Sequence, residues 1–185
     1  MNFEEQIQQL LQEFPVIETK RLSLRLIGPD EANAVFHLRA EDQQAQYIGK
    51  QRVLSIEEVA DSKLESKEGP SLSWVAKLKG EENGGIIGTC GFFNIDYSNR
   101  KAELGGEMAT AHWGKYYAVE GTLALLSFGF NKLQFETIEC AVSPDNESAI
   151  YLLEKLGFHP AKEIKNYPTG GKLMDLIVYS RSKGA

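Results

Sequence analysis

The sequence predicts one α/β layered domain, with helices packed on a largely antiparallel sheet. Three observations predict it. Short runs of alternating or apolar residues, such as 21–27, 72–78 and 86–93, read as strands that follow one another closely. Capped apolar helices interrupt those strands at four places, giving the order β-α-α-β-β-β-α-β-α-β-β. No internal repeat, low-complexity tract or linker divides the 185 residues, a length that one core accommodates.

Residues 1–14 read as an amphipathic helical arm, because Phe3, Ile7, Leu10, Leu11 and Phe14 fall at helical spacing and Pro15 ends the run. The arm packs on the domain or on a partner subunit, and residues 15–185 form the domain itself. Residues 21–27 alternate polar and apolar, as a half-buried strand does. Gly28-Pro29-Asp30-Glu31 opens a helix whose apolar face includes Ala32, Val35 and Phe36. Ser55 and Glu58 form a capping-box signature for a second helix to about Lys67. The polar stretch 42–52 between them, which contains Tyr47, is a surface loop or the flank of a substrate site. Gly69-Pro70 breaks the chain. Strands 72–78 and 86–93 then form a hairpin around the turn 81–85.

A strand over 101–110 leads through the loop 112–118 into a helix ending near Asn131. On that helix Val119, Leu123, Leu126 and Phe130 form a core-facing stripe. Residues 135–142 are a buried strand. Ser143-Pro144-Asp145 starts the last helix, with serine as cap and proline in the first turn. Gly157 closes it in a left-handed conformation. Two final strands, 158–164 and 173–179, are joined through Pro168-Thr169-Gly170-Gly171.

Composition narrows the function classes. The chain is 42% apolar and 25% charged, as ordinary globular proteins are. It has no run of 18 apolar residues, so no membrane span or membrane partner is expected, and its acidic N-terminus lacks a secretory core. Cys90 and Cys140 lie in apolar runs without ligand spacing, which fits buried thiols in a reducing cytoplasm. His37, His112 and His159 are too dispersed for a metal site. A net charge of −6 argues against nucleic-acid binding and mildly favours an amine partner.

The chemistry concentrates in residues 102–131. A strand, a tight loop and a helix follow in direct succession, and a helix start offers N–H groups and partial positive charge to an anion. Gly114 and Lys115 in the loop suit a phosphate. Gly105-Gly106 in mid-strand suggests a bulge that would turn backbone groups toward an amide-bearing ligand. A bulge that only bends the sheet is the plainer alternative.

Four stretches carry a family resemblance: Phe14-Pro-Val-Ile-Glu-Thr-Lys-Arg-Leu-Ser-Leu-Arg25, Ala102-Glu-Leu-Gly105, Trp113-Gly-Lys-Tyr-Tyr-Ala-Val-Glu120, and the run from Asn146 to Phe158. In this order and spacing they resemble the GNAT superfamily of acyl-CoA N-acyltransferases, and within it the RimJ/RimL branch of ribosomal-protein N-acetyltransferases. The resemblance implies the GNAT fold: a mixed, mostly antiparallel sheet of six to seven strands with splayed central strands and about four helices. It implies acetyl-CoA as cosubstrate. Backbone groups of Met108, Ala109 and Thr110 would pair with pantetheine, and Gly114, Lys115, Tyr116, Tyr117 and Ala118 would surround the pyrophosphate. Asn146 would lie near the thioester end, although an asparagine there also suits a helix cap. Dimers are common in the branch, so a homodimer using the N-terminal helix is open.

Two positions depart from the branch's pattern. Tyr116 stands where the loop's second glycine is usual, so it must find an allowed conformation or strain the loop. Leu153 stands where many relatives carry a thiolate-protonating tyrosine, and Tyr151 lies on a different helix face. These departures motivate the alternative of a non-catalytic CoA-binding or interaction domain.

Acetyl transfer needs a neutral amine and a polarised thioester carbonyl. Glu103 and Glu107, four apart on a strand, share a face unless a bulge intervenes, and either carboxylate suits the base. A protein α-amine loses its proton near pH 8 and lysine near 10.4, so neutrality at pH 7 costs about 1.4 kcal/mol against about 4.6 kcal/mol. A modest base therefore suffices for a protein N-terminus or a small amine of similar basicity. Direct transfer is expected rather than an acyl-cysteine. Tyr47, Trp74, Phe92, Asp96 and Tyr167 are candidate lining for the acceptor groove, by fold analogy.

Overall fold

The computed structural model describes residues 2–13, 15–25, 32–39, 65–66, 69–80, 85–169 and 172–185. The helix start at 28–31, Tyr47 and the capping box at Ser55 lie outside them. Within them the elements are α1 (Phe3–Gln12), β1 (Ile17–Glu18), β2 (Leu22–Arg25), α2 (Ala32–Arg39), β3 (Glu65–Ser66), β4 (Gly69–Pro70), β5 (Leu72–Leu78), β6 (Ile86–Asp96), β7 (Lys101–Met108), α3 (Tyr117–Asn131), β8 (Thr137–Val142), α4 (Glu147–Lys155), β9 (His159–Thr169) and β10 (Lys172–Ser182).

Eight strands form one sheet in the order β1-β2-β5-β6-β7-β8-β10-β9, and β3 pairs with β4 separately. Every pairing in the large sheet is antiparallel except β7 with β8. The count exceeds six to seven because β1 is two residues long, too short to leave a pattern. Glu65-Ser66, inside the span expected to be helical to about Lys67, is strand β3, and Gly69-Pro70 pairs as a strand instead of breaking the chain.

α1 begins with a reciprocal cap: Glu5 N–H donates to Asn2 Oδ1 at 2.8 Å, and Asn2 N–H donates to Glu5 Oε2 at 2.9 Å. The helix packs on the body of the domain. Ile7 is 1% exposed, and the Phe3 ring meets Phe135 edge-on at 5.8 Å. That contact continues through Phe92 (5.1 Å from Phe135) to Trp74 (6.2 Å from Phe92), an aromatic file across the core. Trp74 Nε1–H donates to Pro15 O at 2.8 Å and fixes the segment that follows α1. Trp74 and Phe92 are therefore core residues, and neither lines an acceptor groove.

α3 buries Gly121, Leu125, Leu126, Gly129 and Phe130, while Leu123 is half-exposed. The stripe is thus rotated from the expected one. The reason is close approach: a Cβ at Gly129 would lie 2.8 Å from Phe92 Cζ and 3.0 Å from Ile138 Cδ1. The helix settles on its glycine face because that face comes nearest to the sheet.

α4 starts at Glu147, later than expected. Its cap is Asn146, whose Oδ1 accepts from Ala149 N–H at 3.2 Å, whereas Ser143 Oγ accepts from Asp145 N–H in the preceding turn. The helix ends as expected at Gly157 (φ 78°), with Phe158 N–H bonded to Leu153 O and Gly157 N–H to Glu154 O, both at 3.0 Å.

Candidate active site

The site begins where the sheet divides. β7 pairs with β6 in unbroken register from Glu103 to Met108. Its pairing with β8 covers only Lys101–Glu103 against Thr137–Glu139. Beyond Glu103 the two parallel strands separate, and the gap opens toward the C-terminal ends of both. The starts of α3 and α4 follow those ends.

The expected bulge at Gly105-Gly106 is absent: the ladder shifts register between Phe93 and Asp96 instead. These glycines serve proximity. A Cβ on Gly106 would sit 2.5 Å from Thr89 O, so no larger residue fits while β6 and β7 lie this close. No bulge is needed to expose amide groups. Ala109 N–H donates to Ile87 O at 2.9 Å, and antiparallel alternation then points the N–H and C=O of Leu104, Gly106 and Met108 away from β6, toward the gap. Leu104 N–H reaches the Cys140 sulfur at the point of separation. Sequence reasoning missed Gly106 as a lining group; the parity of the ladder was the available signal.

The predicted pantetheine-pairing groups are partly engaged. Met108 O accepts from Trp113 Nε1–H at 2.8 Å. Ala109 donates to β6, and its carbonyl accepts from His112 N–H at 2.9 Å, while Thr110 O accepts from Trp113 N–H at 3.1 Å. These bonds close a one-turn 3₁₀ segment, Thr110–His112, which reverses the chain into the loop.

The loop itself is open. Gly114 (φ 72°) and Tyr116 (φ 63°, ψ 15°) both take left-handed conformations. Gly114, Lys115, Tyr116 and Ala118 are exposed, Tyr116 at 76%, and Tyr117 is half-buried. The Tyr116 side chain makes no cap bond to α3. His112 Nδ1 is buried beside the loop with no hydrogen-bond partner among the described residues. An uncapped helix start, an unpartnered buried nitrogen and an exposed lysine suit an anionic diphosphate, and the amide edges along the gap suit an amide-bearing chain. These residues fit the phosphorylated, amide-linked cosubstrate that the sequence implies.

Behind the loop lies an ion pair that the sequence alone did not expose. Glu120, in the first turn of α3, accepts from Thr19 Oγ1 (2.6 Å), Arg21 N–H (2.7 Å) and Arg21 Nε (2.6 Å). Loss of water raises the Glu120 pKa; the three hydrogen bonds and the Arg21 charge together outweigh that and bring it to about 2. Arg21 also donates to Lys115 O at 3.1 Å and places its guanidinium 4.4 Å from the Tyr117 ring centre. The signal was Thr19 and Arg21 within the first matched stretch, but their partners lie about 100 residues away.

Glu103 and Glu107 share the face opposite buried Ala102 and Leu104. Glu107 Oε1 accepts from Thr89 Oγ1 at 2.9 Å, and Glu103 Oε2 accepts from Asn94 Nδ2 at 2.8 Å. Four residues of extended strand separate them by about 13 Å, so one reacting amine cannot touch both. Glu103 sits where β7 still pairs with β8; Glu107 sits past the separation.

Leu153 is buried in the core and Tyr151 is 64% exposed. Burial pushes the Cys90 thiol up to about 12 and raises that of Cys140 further, so both stay protonated and unreactive at neutral pH. Asp96 caps its own turn through Ser98 and Asn99. Among the described residues no group of three His, Cys, Asp or Glu side chains could hold a metal ion, and no helix is long and apolar enough to cross a membrane.

Known proteins share the sequence pattern and the fold. Residues 21–159 match the acetyltransferase (GNAT) domain. The uncharacterized N-acetyltransferase YoaA of Bacillus subtilis (strain 168) is 32% identical over 173 residues, covering 90% of this chain and 96% of that protein. A GNAT-family acetyltransferase from Bacillus anthracis superposes with a TM-score of 0.76 at 21% identity, covering 92% of this chain and all of the other. The spermidine N-acetyltransferase of Vibrio cholerae, solved with CoA and spermine, superposes with a TM-score of 0.75 at 20% identity over 88% of this chain and 95% of its own.

Proposed function

The chain belongs to the GNAT acetyltransferase family, and from that premise we propose an acetyl-CoA-dependent N-acetyltransferase that acts on a protein N-terminal α-amine or a small amine. One observation carries the reading. The strand that leads into an uncapped helix also separates from its parallel neighbour, so a slot lined by amide groups meets an anion-binding helix start.

Acetyl-CoA supplies the acetyl group as a thioester. Its diphosphate is held by the backbone of 114–118, with Lys115 adding charge and His112 Nδ1 gaining a partner. The amide edges of Gly106 and Met108 hold the extended arm and polarise a carbonyl placed against them. Glu107 takes the amine's proton, because it lies past the strand separation while Glu103 lies in the closed part of the sheet. With an α-amine acceptor that proton costs only about 1.4 kcal/mol to remove at pH 7, so no strongly shifted carboxylate is required. Asn146 caps α4 through Oδ1, and its amide nitrogen is the donor this reading assigns to the thioester end of the cosubstrate. The expected site of action is the cytoplasm, a reading supported by Cys90 and Cys140 being free thiols.

The test has two parts. Acetyl-CoA at 100 times its dissociation constant adds about 2.7 kcal/mol, which for a domain of this size raises Tm by roughly 5–11 °C. Turnover with a panel of N-terminal peptides and small amines then identifies the acceptor. Glu107→Gln lowers kcat/KM about 100-fold, and Glu103→Gln does so less. Binding without turnover on any amine would leave a CoA-binding domain, and no thermal shift at millimolar acetyl-CoA would remove the reading altogether.

A further inference from the structure

We propose that Arg21 is a positioning residue: it holds the loop 114–117 in the shape that receives the diphosphate of acetyl-CoA. The inference rests on the acetyl-CoA reading given above. Its basis is where Arg21 grips. The residue in the left-handed well is Tyr116, and Arg21 holds both of its neighbours, the Lys115 carbonyl at 3.1 Å and the Tyr117 ring at 4.4 Å. Tyr116 is itself 76% exposed and its side chain makes no cap bond to the helix it begins, so little packing of its own fixes the turn. A non-glycine residue in that conformation persists where the surroundings over-determine it.

Arg21 is in turn fixed from behind. Its Nε and backbone N–H meet the two oxygens of Glu120, and Thr19 Oγ1 shares one of them. The turn between β1 and β2, the loop and the first turn of α3 thus form one connected unit. Glu120 balances the charge of Arg21 locally, so the arginine contributes geometry rather than attraction for phosphate. A rigid fork with several donors can serve Glu120 and a carbonyl together; a lysine ammonium on a flexible stem cannot hold both directions.

Isothermal titration with acetyl-CoA, steady-state kinetics and a circular-dichroism melt test this on the wild type, Arg21→Lys and Glu120→Gln. Both substitutions retain most of the side-chain volume, which guards against simple unfolding. Wild-type binding is the prerequisite, and its absence would defeat the acetyl-CoA reading itself. Arg21→Lys is expected to weaken acetyl-CoA binding and raise its KM about tenfold, the size of one charge-assisted hydrogen bond. The acceptor KM and the saturated kcat stay the same. Glu120→Gln moves acetyl-CoA binding in the same direction. S-acetylpantetheine, which lacks the diphosphate, separates positioning from general damage: its kcat/KM stays within about twofold in both variants. If Arg21→Lys binds acetyl-CoA as tightly as the wild type, the inference is overturned. Equal losses with both acetyl donors would overturn it too, because a general structural role would produce them.

Discussion

Replacing Tyr116 by glycine should stabilise the protein. Tyr116 holds φ 63° and ψ 15°. A side chain in that well costs about 1–2 kcal/mol, from the clash of Cβ with the following carbonyl. Glycine removes the clash but gives the unfolded chain more freedom, which returns about 0.5–1 kcal/mol. The ring is 76% exposed, so its removal forfeits little burial. The net gain is about 0.5–1 kcal/mol, or roughly 1–4 °C in Tm for a domain of this length. Differential scanning calorimetry without cosubstrate measures it, supported by a urea titration in which the midpoint rises at constant slope. Gly114→Ala is the inverse experiment: at φ 72°, with nothing within 4 Å of the added Cβ, only backbone strain acts, and stability should fall by a similar amount. A Tyr116→Gly protein that melts at or below the wild-type temperature would refute the strain argument, and with it the reason the loop needs external support.

Three further outcomes follow from the same structure. Glu120 is held below the ordinary carboxylate range, so its contribution is present above pH 4.5 and is lost as the pH falls toward about 2; Glu120→Gln should narrow its stability difference from the wild type across that window in acid titrations. Trp113 is 44% exposed with its indole N–H on Met108 O, whereas Trp74 is buried, so acetyl-CoA should change tryptophan emission and Trp113→Phe should abolish the change. Ile7→Ala should cost about 2–5 kcal/mol in chemical denaturation, because Ile7 belongs to the central core.

Local chemistry made much of the fold legible. The N-terminal helix, the β5–β6 hairpin and the Gly157 stop are short-range features, and each stands near its expected place. What depends on distant partners was not legible. The burial of Leu125 in preference to Leu123 is decided by how closely Gly129 approaches Phe92, which a helical repeat cannot reveal. Ser143-Pro144 looked like a helix start because serine and proline favour one, yet Asn146 offers the better-placed oxygen and wins. Gly105-Gly106 suggested a bulge because a glycine pair weakens a ladder; the actual constraint is close approach, of the β6 backbone to Gly106 and of the Phe93 ring to Gly105. At the site, the strand, loop and helix were readable as a succession. The Arg21–Glu120 pair was not, since ion-pair partners about 100 residues apart leave no periodic trace.

The short parallel junction between β7 and β8 also divides the molecule mechanically. Five strands stand on one side of it and three on the other, and three residue pairs stitch the halves together. Pairing on either side is longer: six registered pairs join β8 to β10, and six consecutive ones run from Glu103 to Met108 against β6. Short edge strand β1 aside, the seam is thus the junction of the sheet with the fewest rungs to break, and local opening there costs less than at the junctions on either side of it. A ligand lying in the gap would bridge both banks and replace the missing rungs. Occupancy would then be felt as stiffness of the whole sheet, and amide exchange at Leu104–Met108 and Cys140–Val142 would slow together.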